Sequence, residues 1–89
     1  MVFEFHPAVP QVLTLMRSCA FWAGFTYIDE EAKPMSGGGQ FTLKLERSGR
    51  SCGVSTFLSG DLLNDWARLE VALCNDVAKS LAKLVKDGG

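Results

Sequence analysis

The last third of this chain, residues 61–87, is predicted to be α-helical throughout. This restricts the folds that the remaining residues can form. The apolar residues of the segment recur every three or four positions from Leu63 to Val85 and spread over half of the helix circumference or more. Ser59-Gly60-Asp61 is the expected N-terminal capping segment, with Asp61 favoured as the capping residue. A straight helix of this length would be about 40 Å long at ~1.5 Å per residue, which exceeds the width of a compact domain of this size. We therefore expect a break or kink at Cys74-Asn75-Asp76 or an overhanging end, and the pattern leaves open whether the segment is one helix or two.

The preceding residues predict one helix and several short strands. Val2 to Phe5 alternates like a strand, and residues 10–23 carry apolar positions at helical spacing with a proline in the first turn. Residues 25–28 are aromatic and β-branched, which favours a short strand. Charges, a proline and three consecutive glycines then predict a loop over residues 29–39.

The clearest signal is a β-hairpin over residues 41–57 that turns at Ser48-Gly49. This turn places three pairs of residues opposite each other: Leu45 and Cys52, Leu43 and Val54, and Phe41 and Thr56. Their shared face is mostly apolar and the other face is polar, and a slip of one residue would invert both. The sheet is therefore expected to have one covered face and one open face.

Together these elements predict an α+β fold. It is a two-layer sandwich in which helices pack on one face of a small antiparallel sheet of three or four strands, in the order (β)-α-β-β-β-α. Because 89 residues are too few for two cores, residues 1–89 are expected to form a single domain.

Composition argues against several classes of function. The 9 Lys and Arg residues balance the 10 Asp and Glu residues, so no overall field attracts the chain to nucleic acid or to an anionic membrane. The longest apolar run, Cys19 to Ile28, is too short to span a bilayer, and the N-terminus lacks the features of a signal peptide. Cys19, Cys52 and Cys74 lack CxxC spacing, so they predict neither a disulfide framework nor a zinc site. We expect a soluble, cytoplasmic protein with free thiols and no membrane association.

No combination of residues predicts catalysis, a metal site or a cofactor. His6 is the single histidine and lies beside a proline near the N-terminus, where a surface position is expected. The glycines of Ser36-Gly37-Gly38-Gly39 lead into a strand, whereas a phosphate-binding loop opens a helix. A small enzyme would need a site built from His6, Cys19 or Cys52, and no pattern in the sequence supports one. The sequence therefore favours a protein that is not an enzyme.

Two groups of residues are candidates for partner binding. Phe21 and Trp22 fall near the polar side and the end of the first helix, so they either form an exposed aromatic spot or pack under the loop that follows. Lys44, Arg47 and Arg50 place positive charge at the tip of the hairpin, where it serves binding or simply solubility.

Glu70 is a further candidate, because it projects from the middle of the apolar face of the last helix. An isolated carboxylate buried there would be strongly destabilising. It is expected to pair with Arg17 or Arg50, to reach water through a small rotation of the helix, or to meet a cationic group on a partner.

The wide apolar helix face and the open sheet face favour a small protein–protein interaction module. Such an adaptor or inhibitor would bind a protein partner or a second copy of itself. In size and architecture the chain is similar to the small inhibitors that phages and mobile elements direct against host defence, anti-CRISPR proteins among them. That resemblance implies an anti-defence inhibitor that acts by binding.

Nucleic-acid binding is the alternative. Residues 10–87 follow the α-β-β-β-α order of double-stranded-RNA-binding domains, and FTLKLERSG resembles the middle strand and turn of such a domain. That family meets phosphates with a lysine cluster at the start of its second helix, whereas this chain has Asp61 and Asp65 there. Binding to nucleic acid would therefore need another surface, such as Arg47 and Arg50.

Overall fold

The computed structural model of the protein describes residues 6–88, with side chains as far as Lys86. Its elements are α1 (Val9–Trp22), β1 (Thr26–Met35), β2 (Gly38–Arg47), β3 (Arg50–Ser59), α2 (Gly60–Leu63) and α3 (Trp66–Gly88). The three strands form one antiparallel sheet in the order β1-β2-β3. The predicted α+β architecture is confirmed, while the strand predicted at Val2 to Phe5 lies outside the described residues.

The register predicted for the hairpin is also confirmed. Leu45 lies opposite Cys52, Leu43 opposite Val54 and Phe41 opposite Thr56. Ser48 and Gly49 both have positive φ, at 55° and 77°, as expected for a two-residue turn whose twist matches that of the strands. One face of β2 and β3 is buried and the other is open to solvent, so the sheet has the two unlike faces that the alternation predicts.

The loop predicted over residues 29–39 is wrong, because β1 continues to Met35 and turns tightly at residues 36–37. Its charges and Pro34 obscured a strand that, among the described residues, pairs only with β2. On such an edge, a proline and charged side chains are tolerated. The glycines have structural reasons as well: Gly37 has φ 81°, and a Cβ on Gly38 would collide with the carbonyl oxygen of Leu58.

A break in the last helical segment is found, but ten residues earlier than predicted. The chain leaves helix at Asn64-Asp65, and α3 then runs without interruption through Cys74-Asn75-Asp76. The predicted capping segment is found, but its capping residue is Ser59 and not the favoured Asp61, since the Ser59 hydroxyl accepts the Leu62 N–H at 3.3 Å. At 23 residues, α3 is about 35 Å long at ~1.5 Å per residue. It thus nearly matches the longest dimension of the molecule, 36 Å.

His6 and Asn64 connect the start of α1 to the break between α2 and α3. The Ala8 N–H donates to His6 Nδ1 at 3.0 Å, so in the neutral ring Nε2 carries the proton and donates it to Asn64 Oδ1 at 2.9 Å. Asn64 Nδ2 donates to the Gly60 carbonyl at 3.0 Å. His6 is half-buried, so it lies at the surface only in part, and its contacts help to fix the point at which the helix breaks.

Both long helices cover the same face of the sheet. α3 contributes a line of buried residues four positions apart: Leu69, Leu73, Val77 and Leu81. We call this line the core flank. Thr56 is the buried polar residue of the sheet and donates to Asp76 Oδ2 of α3 at 2.7 Å. Among the described residues, none of the helices is both long and apolar enough to cross a membrane.

Candidate partner-binding surface

α1 and α3 lie side by side and run in the same direction. Trp66, at the start of α3, lines a cavity with residues of the first turns of α1, Pro10 among them. Further along, Cys19 of α1 faces Cys74 of α3, and Trp22 at the end of α1 lies across from the last turns of α3. The junction between the two helices therefore extends over most of α1, which spans about 20 Å at ~1.5 Å per residue.

An open apolar groove follows this junction. Its larger part has a volume of about 790 Å³ and its smaller part about 390 Å³. The two parts share Leu15 and Ser18 and thus form one groove, with Trp66 near one end and Trp22 near the other. The larger part is lined by Leu15, Ser18, Cys19, Trp22, Ala23, Cys74, Ala78, Leu81, Ala82 and Val85. None of these side chains is charged.

The groove exists because the side chains that face each other across the junction are small. On α3, the residues that follow the core flank by one position are Glu70, Cys74, Ala78 and Ala82, about 100° further around the helix; we call them the groove flank. On α1, Ser18, Cys19 and Ala23 line the opposite wall. Small side chains on both helices leave space that larger ones would fill.

Phe21 and Trp22 stand at the end of α1, beside the larger part of the groove. The Trp22 side chain is 85% exposed and the Phe21 side chain 72% exposed, and the rings meet edge to face with centroids 5.9 Å apart. The alternative in which both rings pack beneath residues 29–39 is therefore wrong. Large exposed aromatic side chains beside an apolar groove are typical of residues that anchor a partner.

The hairpin residues do not join this surface. Lys44 lies on the open face of the sheet, opposite Asp29 and Gly53 in the neighbouring strands. The guanidinium of Arg47 stacks over the Phe25 ring at 5.7 Å, and both Arg47 and Arg50 are engaged in further interactions. The three cationic side chains therefore do not form a single free patch.

The prediction that Glu70 lies in the middle of the apolar face is wrong, because the residue is exposed. The wide apolar face predicted for the last helix consists of the core flank and the groove flank side by side. Glu70 is the first residue of the groove flank and lies one turn before Cys74. Its exposure excludes the internal ion pair and agrees with the small rotation towards water, while contact with a cationic group on a partner stays a prediction. Arg17 contacts Glu30 instead, with Nε and Oε1 3.3 Å apart.

Arg17, Tyr27 and Glu30 form a cluster that fixes α1 on β1. The Glu30 side chain is 12% exposed, and its Oε1 contacts Arg17 without hydrogen-bond geometry to any described residue. The Arg17 guanidinium also lies 5.4 Å from the centre of the Tyr27 ring. Desolvation, followed by the interaction with Glu30, raises the pKa of the Tyr27 phenol above its usual value. The cluster keeps α1 in place beside the groove.

Cys19 and Cys74 both line the larger part of the groove, one from each helix. Both are free, half-buried thiols. The sequence spacing of the three cysteines did not indicate that these two would face each other across the helix junction. Burial, and then the neighbouring Cys74, raises the pKa of the Cys19 thiol above its usual value. Cys52 lies apart from this pair, on the hairpin opposite Leu45.

The described residues contain no group of three or more His, Cys, Asp and Glu side chains that could hold a metal ion. Comparison of the chain with protein-family models, with curated proteins and with solved structures finds no match.

The sequence signal that could have revealed the groove is the spacing of Cys74, Ala78 and Ala82, four residues apart and each directly after a core residue.

Proposed function

We propose that this protein is a small, non-enzymatic protein–protein interaction module that holds an apolar segment of its partner in the groove between α1 and α3. The observation that carries the proposal is the groove itself: open, uncharged along its larger part and flanked by the exposed rings of Phe21 and Trp22. Monomeric proteins seldom leave a continuous apolar surface of this kind without a binding role.

The chemistry of the lining indicates the type of partner. An uncharged apolar wall favours a partner face without charge, since a charged side chain would lose its water there without finding an opposite charge. A length of about 20 Å accommodates roughly 13 residues of helix at ~1.5 Å per residue. An amphipathic helix that lays its apolar side between α1 and α3 fits both properties. Trp22 would be its main anchor, because aromatic rings bury a large area when covered.

An adaptor or inhibitor is the role this geometry favours. Such a protein acts by occupying a surface and needs no catalytic group. The similarity in size and architecture to anti-defence inhibitors, anti-CRISPR proteins among them, suggests a host defence component as the partner. The free thiols favour a reducing compartment such as the cytoplasm. A second copy of the chain is another partner that the groove could accommodate.

The test compares capture of host proteins by immobilised variants. Wild type and Phe57→Ala, which removes an exposed ring on the open face of the sheet, should retain the same protein. Trp22→Ala and Ala82→Trp, which remove the anchor and fill the groove, should both lose it. Equal retention by all four, or retention by none, would argue against the proposal. Light scattering across a dilution series would detect a homodimer, and the same groove variants should dissociate it.

Nucleic-acid binding is the second candidate, favoured by two observations. The described elements keep the α-β-β-β-α order, with the short α2 before α3, and Arg68, Lys79 and Lys83 are exposed on α3. Asp61 and Asp65 precede this stretch and would repel phosphates. Salt-sensitive retention on duplex RNA that is lost in Lys79→Glu/Lys83→Glu, with protein capture unchanged, would favour this candidate over the groove.

A further inference from the structure

We infer that Cys19 and Cys74 form a redox-sensitive pair, which a small-molecule disulfide oxidises to an intramolecular disulfide that ties α1 to α3 and regulates access to the groove. The chemistry of the pair is independent of the proposed function, and its effect on partner binding rests on that function.

The position of the two thiols supports the inference. Cys19 and Cys74 lie on facing helices and line the same groove. Helices that pack with axes 8–10 Å apart bring directly facing Cα atoms to about 3.5–5.5 Å, because each Cα lies ~2.3 Å from its axis. The upper part of this range overlaps the Cα separations of about 4.4–6.8 Å that a disulfide spans. The two side chains also interact across the junction, since the Cys74 thiol adds to the effect of burial in raising the pKa of Cys19.

The reaction proceeds by two thiol–disulfide exchanges. A thiolate of the pair attacks oxidised glutathione, forms a mixed disulfide and releases one reduced glutathione. The second thiol loses its proton and attacks the protein sulfur of that mixed disulfide, which forms the Cys19–Cys74 bond and releases the other glutathione. Two protein thiols are thus oxidised and one glutathione disulfide is reduced to two thiols. Because the pKa of Cys19 is raised, closure should accelerate with pH.

The bond would change the wall of the groove that both cysteines line. Covalent bonding draws the two sulfur atoms together and fixes α1 to α3, which narrows the groove that both cysteines line and leaves less room for a partner segment. The helices would remain folded, since the bond joins side chains that already interact. Oxidation should therefore stabilise the protein and weaken partner uptake at the same time.

The first experiment tests the bond itself on full-length Cys52→Ser protein, which keeps only the two thiols of the pair. After treatment with oxidised glutathione, we expect the intact mass to fall by two hydrogen atoms and tryptic mapping to join the Cys19 and Cys74 peptides. The melting temperature should rise by at least about 5 °C and return to its initial value with dithiothreitol. Glutathione adducts, dimers or unchanged thiols in place of the internal bond would overturn the inference. The Cys19→Ser/Cys74→Ser variant, which keeps Cys52, is the matched control for unspecific oxidation.

The second experiment tests regulation with an uncharged apolar dye, N-phenyl-1-naphthylamine. The reduced Cys52→Ser protein should bind the dye, Ala78→Leu in the same background should not, and oxidation should weaken binding at least about fivefold. Equal binding before and after oxidation would overturn the regulatory part of the inference while the disulfide stands. No binding by the reduced protein would instead contradict the groove, and with it both the proposed function and its regulation.

Discussion

The core flank and the groove flank of α3 lie side by side on one helix, yet only one of them is packed. The core flank has leucine or valine at every fourth position, and these side chains are almost fully enclosed against the sheet and α1. The groove flank follows each of those positions by one residue, and Cys74, Ala78 and Ala82 line open space. Backbone geometry is the same in both cases, so side-chain volume accounts for the difference.

This difference shows how an apolar pattern can include both a core and a binding surface. Hydrophobic periodicity reports which residues avoid water but does not report whether their volume fills the space available. On α3, the two flanks together cover the wide apolar face seen in the sequence. To distinguish the two flanks, one must know which residues of α1 face them. The small residues of α1 lie opposite those of α3 only when the two helices are side by side.

The largest effect is expected from Leu73→Ala, at the centre of the core flank. Leu73 is fully buried, and removal of a buried leucine side chain leaves a cavity that costs about 3 kcal/mol. Val71→Ala is the matched control, since Val71 is 62% exposed on the same helix and its truncation should change stability by less than about 0.5 kcal/mol. Urea denaturation measures both. Similar losses in the two variants would mean that the core flank is not enclosed as described.

Much of the fold could be predicted from sequence, for physical reasons that are particular to each element. The hairpin register followed from alternation and a Ser-Gly turn, because a register shift of one residue would have exposed the side chains of Leu43 and Leu45 to water. The strand through Pro34 was missed because edge strands tolerate residues that usually indicate loops. The helix break was misplaced because Asn64 is fixed by His6, 58 residues away in the chain, and no local pattern records that bond.

The candidate site was less accessible to sequence reasoning. Phe21 and Trp22 stood out because large aromatic residues fell outside the apolar stripe of α1. The small residues of the groove walls did not stand out, since Ser, Ala and Cys at helical spacing are equally compatible with close helix packing. Proximity of Cys19 and Cys74 depends on the direction in which α1 and α3 run relative to each other, a property of the tertiary structure that neither segment determines alone.

A second prediction fills the groove without disturbing the core. Ala78→Leu should occupy the space between α1 and α3, and we expect partner binding to fall at least about tenfold, which corresponds to ~1.4 kcal/mol. Stability should stay the same or rise slightly, because added apolar volume enters an existing gap. Ala72→Leu, on an exposed part of α3, is the control and should bind normally. A marked loss of stability in Ala78→Leu would show that the groove flank is packed after all.

A smaller effect is expected from the polar contact between the sheet and α3. Thr56→Val keeps the shape of the side chain and removes the hydrogen bond to Asp76, which should lower the free energy of unfolding by about 1 kcal/mol. Asp76→Ala should cost at least as much, because it leaves the buried Thr56 hydroxyl unpaired. The double variant should cost less than the sum of the two. Strict additivity in thermal or urea unfolding would contradict a direct link between these residues.

The smallest effect is expected at Glu70, where the two flanks meet water. Because its carboxylate is already hydrated, Glu70→Leu should change stability by less than about 0.5 kcal/mol, in contrast to the behaviour of an internal ion pair. Its place one turn before Cys74 puts it at the rim of the groove, where a charge alters the association rate and its salt dependence more than the affinity. We expect partner affinity within about threefold of wild type, measured by titration at two salt concentrations. A large loss of affinity with stability intact would make Glu70 an anchor equal to Trp22 and would move the centre of the binding surface towards the Trp66 end of the groove.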